Sequence, residues 1–343
     1  MTQPAALPAR FQLTRMISSV WIPQALYAAA KLGVPDALAG GPQPSEKVAL
    51  AVNAHPVATL RLLRALAALG LVTHREDGAF ELTPLGRALT ADAPDSVRSW
   101  ALLWGGPMMW EPWGKLAECV RTGEMAPKLM SGIDTPFELM ERHPEDAAHF
   151  NRSMLELTRG LAPALPASYD FSGARQIVDV GGGFGALLPP ILRAHPTLRA
   201  VVYDLERCAE GSRELFAREG LAERCEFRAG DFFASVPGGA DFYLLKSVIH
   251  DWDDARSVQI LKRCREALSG HAKLLVLEWP VPERVGPQDV GIVGTDLNML
   301  VMVGGIERTL AEYRSLASAA GLRVTRVIPT PVGMHAIEAV RAS

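Results

Sequence analysis

Three groups of residues in this 343-residue chain have the types and spacing to do chemistry. The first is Val178–Leu188, VDVGGGFGALL, followed some 20 residues later by Asp204 in VVYDLE. Glycines let backbone N–H groups come close to a ligand, and a carboxylate at the end of the next strand can accept from two ribose hydroxyls. The second is His250 in LLKSVIHDWDD. An imidazole has an ordinary pKa of about 6.5, so it can take a proton at neutral pH. The third is a pair of carboxylates, Glu278 at the end of LLVLE and Glu307 in GGIERT. Either can accept from the other ring nitrogen of His250 and stabilise an imidazolium once it forms. A lone histidine is more often a satisfied loop or core residue; its place at a strand end, with two carboxylates downstream, favours the chemical role.

The glycine loop admits two cofactors. Gly181-x-Gly183-x-x-Ala186 satisfies the dinucleotide fingerprint, with Asp204 at a suitable distance for the ribose of NAD. Other features favour S-adenosylmethionine (SAM). Asp179 stands two residues before the first glycine, and Gly181, Gly182, Gly183 and Gly185 crowd together as in D/E-x-G-x-G-x-G methyltransferases. A pyrophosphate would suit a helix N-terminus, whereas SAM has no phosphate and needs acceptors for an amino group and hydroxyls. Asp231 in AGDFF follows the next strand and can accept from an adenine amino group. Read only as structure, the glycines would make a tight turn from strand to helix.

These residues must be positioned by regular elements. From Asp170 onward strands are predicted at 176–180, 200–204, 225–229, 241–246 and 273–279, with helices at 185–194, 208–219 and 254–268. Such alternation gives a parallel sheet with helices on both faces and ligands at the carboxyl ends of the strands. The last two runs, LRVTRVIP and MHAIEAVR, are close enough to pair antiparallel across TPVG, which makes a mainly parallel, seven-stranded α/β sheet. His250 then sits at the open end, just before a helix start that Asp253 and Asp254 can cap.

Residues 10–160 read as almost entirely helical. One amphipathic helix is predicted over 12–32, ending at Gly33 and Pro35. The run Ser45–Leu50, the helix Val57–Leu69 and a hairpin around Asp77-Gly78 have a winged-helix order, which often binds DNA. VATLRLLRALAAL offers only Arg61 and Arg64 and is apolar nearly all round, so packing or dimerisation is favoured over DNA contact. Between 96 and 165 lie Trp100, Trp104, Met108, Met109, Trp110, Trp113, Met130, Phe137, Met140, Phe150 and Met154. They suit a core or subunit interface, and the loop-like, uncharged GGPMMWEPW also suits a pocket for a flat aromatic ligand. Three parts are expected: 1–95 for dimerisation, 96–165 as helical pocket and linker region, and 166–343 for cofactor binding.

Composition narrows the partners. A net charge of −3 argues against nucleic acid or an anionic membrane as the main partner. Cys119, Cys208, Cys225 and Cys264 show neither paired spacing nor a Cys/His cluster, so no disulfide framework or zinc site is signalled and a reducing, cytoplasmic setting is expected. The N-terminus lacks the apolar run of a signal peptide, and no span long enough for a membrane is predicted.

VDVGGGFG, VVYDLE, GDFF, LLKSVIHDWDD, LEWPVP and above all DLNMLVMVGGIERTLAEYRSL resemble the plant-type small-molecule O-methyltransferases, a group that includes caffeic-acid-type and antibiotic-tailoring enzymes. The resemblance covers nearly the whole chain. It implies a Rossmann-like SAM domain, an N-terminal helical winged-helix dimerisation domain, a homodimer and an aromatic hydroxyl as methyl acceptor. It would place the methionine part of SAM at Gly181 and Gly183, its ribose at Asp204, its adenine at Asp231 and Phe232, and its edge at Lys246. His250 matches the general base, with Glu278 and Glu307 beside it, and nothing in this scheme requires a metal. Asp251, Asn298, Met299, Met302 and, from the helical region, Met154 are expected to contact or hold the acceptor. Phe232 stands where many members have Met, and Phe184 where Thr, Asn or Ser is frequent. Alternatives are N- or C-methylation or a SAM-retaining hydroxylase or decarboxylase on the same fold and, from other classes, a NAD-dependent oxidoreductase or a DNA-binding regulator.

Overall fold

A computed structural model describes residues 7–133, 138 and 144–342. The chain divides into two compact units, residues 1–111 with 144–156, and residues 112–143 with 157–343. Phe137 and Met140 lie outside the described residues.

The larger unit carries a seven-stranded sheet in the order β5-β4-β3-β6-β7-β9-β8. Its strands are β3 (Gln176–Val180), β4 (Arg199–Asp204), β5 (Cys225–Ala229), β6 (Phe242–Lys246), β7 (Lys273–Glu278), β8 (Leu322–Pro329) and β9 (His335–Arg341). The first five are parallel; β9 runs antiparallel to β7 and to β8, with a bulge between Val324 and Arg326. Parallel strands covered on both faces become continuous apolar runs. Accordingly, Phe242, Tyr243, Leu244 and Leu245 are all buried, two in each of the cores that flank the sheet. Truncating such a residue, for example Leu244→Ala, costs about 2–5 kcal/mol. The helix Leu188–Ala194 starts three residues later than predicted because the glycine loop runs on to Leu187, and Ala209–Arg218 and Asp254–Ala267 differ from the predicted limits by at most one residue at either end.

The smaller unit is helical, apart from a hairpin of β1 (Val72–His74) and β2 (Phe80–Leu82) closed by Gly78 at φ 81°. The single helix predicted over 12–32 is two, Ala9–Ser18 and Trp21–Leu32. Pro23 has no N–H to give the Ser19 carbonyl, and Ser19 Oγ bonds back to Met16 O at 2.6 Å, so the ladder breaks there. The helix Pro56–Ala68 buries only the stripe Thr59, Leu63 and Leu66, not its whole circumference as the sequence suggested; Val57 is 62% exposed. GGPMMWEPW is not a loop but contains the helix Pro107–Trp113, started by Pro107 at its first position.

Candidate active site

The site is built on the carboxyl ends of adjacent strands. After β3 the chain turns through Gly181 (φ 68°) and Gly183 (φ 58°), where nothing lies within 4 Å of a would-be Cβ on Gly183. Gly183 N donates to Asp204 Oδ2 at 2.7 Å and Leu205 N to Asp204 Oδ1 at 2.7 Å, so the carboxylate at the end of β4 is fixed beside the loop. A Cβ on Gly181 would stand 3.4 Å from the Phe232 ring, which packs edge-on to Trp252. Asp231 is exposed, with Oδ1 accepting from Phe233 N at 2.8 Å. Asp179 lies beneath Gly182, is 2% exposed, and leaves Oδ1 without a hydrogen-bond partner. Burial pushes its carboxyl up to about 7, with Lys246 pulling the other way. Burial in turn lowers Lys246, whose Nζ contacts Ser247 Oγ at 3.3 Å. A glycine loop open at Gly183, a carboxylate at the end of the next strand and a neighbouring aromatic ring fit SAM. Asp179 is the residue that sequence reasoning noted without assigning it to the site.

β6 ends at Lys246, and Ser247 takes a left-handed φ of 52° to turn the chain into a short 3₁₀ turn, Ile249–Asp251. Non-glycine residues held there are uncommon and cluster at functional sites. Asp253 then caps the next helix by accepting from Arg256 N at 2.8 Å. The turn carries His250, whose side chain is 12% exposed. Nδ1 is 2.7 Å from Glu307 Oε1 and 3.7 Å from Glu278 Oε2, while Nε2 is 3.5 Å from Asp251 Oδ1.

The two glutamates differ in what they hold. Glu278 Oε1 accepts from three successive backbone amides, Val248, Ile249 and His250, at 3.2, 3.1 and 3.4 Å. It fixes the turn, whereas Glu307 meets the ring. Oε2 of each glutamate is buried without a hydrogen-bond partner. Burial opposes an imidazolium, but Glu278, Asp251 and Glu307 outweigh it and raise His250 to about 10. Burial lifts Glu278 to about 7, against the pull of His250. The ligand atoms of His250, Glu278 and Glu307 lie within 4.8 Å of one another, close enough for a cation. The 2.7 Å Nδ1 contact has the length of a charge-assisted hydrogen bond, and the arrangement is read as a His–Glu dyad.

The helix Val290–Met302 places the remaining candidates. Met299 and Met302 are buried, and Asn298 is half-buried with Oδ1 accepting from Trp113 Nε1 at 3.1 Å. Trp113 was one of many apolar residues in its stretch; only the fold singles it out. Met154 belongs to the smaller unit and Lys246 to the larger, as does the dyad.

A mainly parallel sheet with an antiparallel edge hairpin, a glycine cradle and a buried His–Glu dyad defines a SAM-type methyltransferase domain. The model of the O-methyltransferase domain matches residues 113–323, and that of the O-methyltransferase dimerisation domain residues 14–92. The chain belongs to this O-methyltransferase family, and SAM is its methyl donor. It is 38% identical over 334 residues to a phenazine O-methyltransferase of Lysobacter antibioticus, covering 97% of each chain. An 8-amino-8-demethylriboflavin N,N-dimethyltransferase of Streptomyces davaonensis is 35% identical over 89% of this chain and 87% of its own. Among solved structures, LaPhzM superposes with a TM-score of 0.93 at 37% identity, covering 98% of this chain and 100% of the other. An O-methyltransferase from neocarzinostatin biosynthesis, in complex with SAM and 2-hydroxy-5-methyl naphthoic acid, gives 0.79 at 33% identity, covering 98% and 100%.

Proposed function

We propose that this enzyme methylates a hydroxyl on an aromatic secondary metabolite, with His250 as general base and Glu307 as the carboxylate that orients it. The carrying observation is the 2.7 Å contact between His250 Nδ1 and Glu307 Oε1. With Nδ1–H donating to Glu307, Nε2 is the nitrogen left to take the proton of the acceptor hydroxyl. SAM supplies a methyl group on a sulfonium, an electrophile in need of a nucleophile. Gly181, Gly183, Asp204, Asp231, Phe232 and Lys246 hold that cofactor. Asp251, Asn298, Met299 and Met302 are assigned to the acceptor, and no metal takes part.

The electrostatics support proton removal. A phenol has a pKa of about 10 and is a poor nucleophile until ionised; a positioned base contributes about 10²–10⁴ in rate. Neutral His250 with a phenol and imidazolium with a phenolate contain the same atoms and the same net charge. The carboxylates that raise His250 to about 10 favour the second distribution, the one with the nucleophile ready. Holding oxygen, methyl carbon and sulfur in line can contribute up to roughly 7–11 kcal/mol more.

Incubation with SAM labelled in the methyl group, against phenols, flavonoids, phenazines and anthracycline-like compounds, tests this reading. Label recovered as an aryl methyl ether supports it; label on nitrogen, or on no acceptor of the panel, removes it. Nitrogen is the second reading because the riboflavin-type relative is named for N-methylation.

We further propose a cytoplasmic homodimer. The helix Ala9–Ser18 buries no residue, and Phe11, Leu13, Met16, Ile17, Val20 and Trp21 are each at least 44% exposed. Monomers rarely expose apolar patches above a few hundred Å², roughly, and this stretch overlaps the match to the dimerisation domain. Light scattering should give twice the 37.0 kDa of one chain at micromolar concentration; a monomer there would refute it.

A further inference from the structure

The dyad is assembled from segments far apart in the chain, and one buried guanidinium lies where they meet. Arg308 is 2% exposed and heads the fully buried side chains by volume. Its Nη1 donates to Ile249 O at 3.1 Å and Ile306 O at 3.2 Å, and its Nη2 to Trp252 O at 2.8 Å. Nε and Nη2 also reach Asp254 Oδ1 at 3.0 and 2.8 Å. The carbonyls of Ile249 and Trp252 bracket His250, and that of Ile306 directly precedes Glu307. The backbone of Arg308 takes part as well, because its carbonyl accepts from Val281 N at 3.0 Å, three residues past Glu278.

The neighbouring contacts leave the two strips little freedom. Ile306 N donates to His250 O at 2.9 Å, and Glu307 N to Asp296 Oδ1 at 2.9 Å. A Cβ on Gly305 would stand 2.1 Å from His250 O, so the backbones approach as only glycine allows. The capping box of Thr309 and Glu312 then starts the next helix immediately after Arg308. A fork of five donors in one plane can hold several carbonyls at once; the point charge of a lysine cannot.

We propose that Arg308 is a positioning residue for methyl transfer: it locks the 249–252 turn to the 306–307 strip and so sets the contact between His250 Nδ1 and Glu307 Oε1. It touches neither acceptor nor cofactor and acts through the dyad, with Asp254 as its counter-charge. The proposal rests on the reading of His250 as base.

The test compares wild type, Arg308→Lys, Asp254→Ala and His250→Ala on two acceptors. One is a phenol turned over in the labelled-SAM screen; the other is the same ring with a para nitro group, whose hydroxyl ionises without help. A misplacement on the order of 1 Å costs about 10²-fold in rate. Arg308→Lys should therefore lower kcat on the phenol about 10–100-fold and on the nitrophenol less than about threefold, with KM and SAM affinity nearly unchanged. The downfield proton resonance of His250 Nδ1–H, which reports the bond to Glu307, should broaden or vanish. Asp254→Ala should show the same selectivity at smaller size, and it carries the test should Arg308→Lys not fold, because the Asp254 side chain is 74% exposed.

Equal losses on both acceptors, or an unchanged resonance and kcat in the folded variant, would overturn the positioning role. His250→Ala separates the two readings. If it discriminates between the acceptors while Arg308→Lys and Asp254→Ala do not, only the Arg308 inference falls; if it does not discriminate either, the base assignment falls and the inference with it.

Discussion

The proposed cofactor cradle and the proposed proton site occupy the ends of the adjacent strands β3 and β6, yet they are built by different means. The cradle is open at one point: nothing stands within 4 Å of where a Cβ on Gly183 would be, while Val248, Asp179 and Val202 close in to 2.9, 2.6 and 2.5 Å behind Gly181, Gly182 and Gly185. The proton site is made by crowding, with Glu278 collecting three amides, Glu307 tied by its backbone to Asp296, and Arg308 threaded among carbonyls. A cradle has to admit a ligand that supplies its own hydrogen-bonding groups. A base has to hold a ring within a few tenths of an ångström of a partner, and only an over-determined setting does that in advance of the ligand. The two regions should therefore respond differently to substitution, the first in affinity and the second in turnover.

The largest effect tests the second half of that contrast. His250→Ala removes the proposed base and leaves the glycine loop and Asp204 untouched, so kcat on a high-pKa phenol should fall about 10²–10⁴-fold while SAM affinity by calorimetry holds. Equal turnover by variant and wild type on that phenol would leave positioning as the only contribution of the site.

Asp204→Ala tests the first half. The carboxylate holds Gly183 N and Leu205 N at 2.7 Å each and is assigned to the ribose, so its loss touches both the loop and the ligand. SAM affinity should drop by about 1.5–3 kcal/mol, the size of hydrogen bonds to a charged acceptor, in a folded protein with its dyad intact. Unchanged calorimetric affinity would mean that the cradle does not use this residue.

Glu307→Gln lies between the two. Glutamine keeps an oxygen for Nδ1–H but gives up the charge, so the loss in kcat should be smaller than for His250→Ala, and the two losses should not add. The pH profile carries the sharper signature. Burial lowers His250, and the carboxylates more than reverse that, to about 10. Removing one of these negative charges moves His250 down, so the limb of the profile that reports its deprotonation should shift to lower pH. The same raised value has a sign for stability. Protonated His250 favours the folded state fully below the unfolded pKa of about 6.5, and this contribution is lost as pH rises from there through about 10. A profile that shifts upward or not at all in Glu307→Gln would separate Glu307 from the titration of the base.

The same difference in construction decides what the sequence discloses. The cradle is local: its glycines, the strand before it and Asp204 fall within one strand–loop–helix–strand unit, and the spacing alone narrows the cofactor. Strand limits were legible for a similar reason where the strands are short apolar runs, as in β4, β6 and β7; β5, CEFRA, is half-exposed and was legible only from its place in the alternation. His250 and Glu278 could be nominated as types at or just past strand ends and Glu307 as a downstream carboxylate, but the choice between the glutamates could not. It depends on the path of 305–308 across the 249–252 turn, a contact some 57 residues long in sequence that no periodicity encodes. Nothing in ERT singles out Arg308, because burial of a guanidinium is decided by which carbonyls the fold brings round it. The break between Ala9–Ser18 and Trp21–Leu32 was missed although Pro23 signals it, the apolar pattern having carried on through the break.

The smallest expected effect falls on the acceptor side, where neither crowding nor open backbone dominates but one side chain sets the orientation of another. An indole N–H can only donate, so Trp113 Nε1 at 3.1 Å fixes which end of the Asn298 amide faces it: Oδ1 accepts, and both hydrogens of Nδ2 are directed elsewhere. If Asn298 contacts the acceptor, it does so as a donor, which favours rings that carry a carbonyl or hydroxyl oxygen beside the reacting group. Trp113→Phe keeps most of the apolar contact and releases the amide to turn. For an acceptor with such an oxygen KM should then rise by the worth of one neutral hydrogen bond, about 0.5–1.5 kcal/mol, while kcat on the same acceptor stays near wild type. For a ring without that oxygen, KM should not change. An equal rise for both rings would assign Trp113 to packing alone, and a fall in kcat instead of a rise in KM would place it with the crowded proton site rather than with binding.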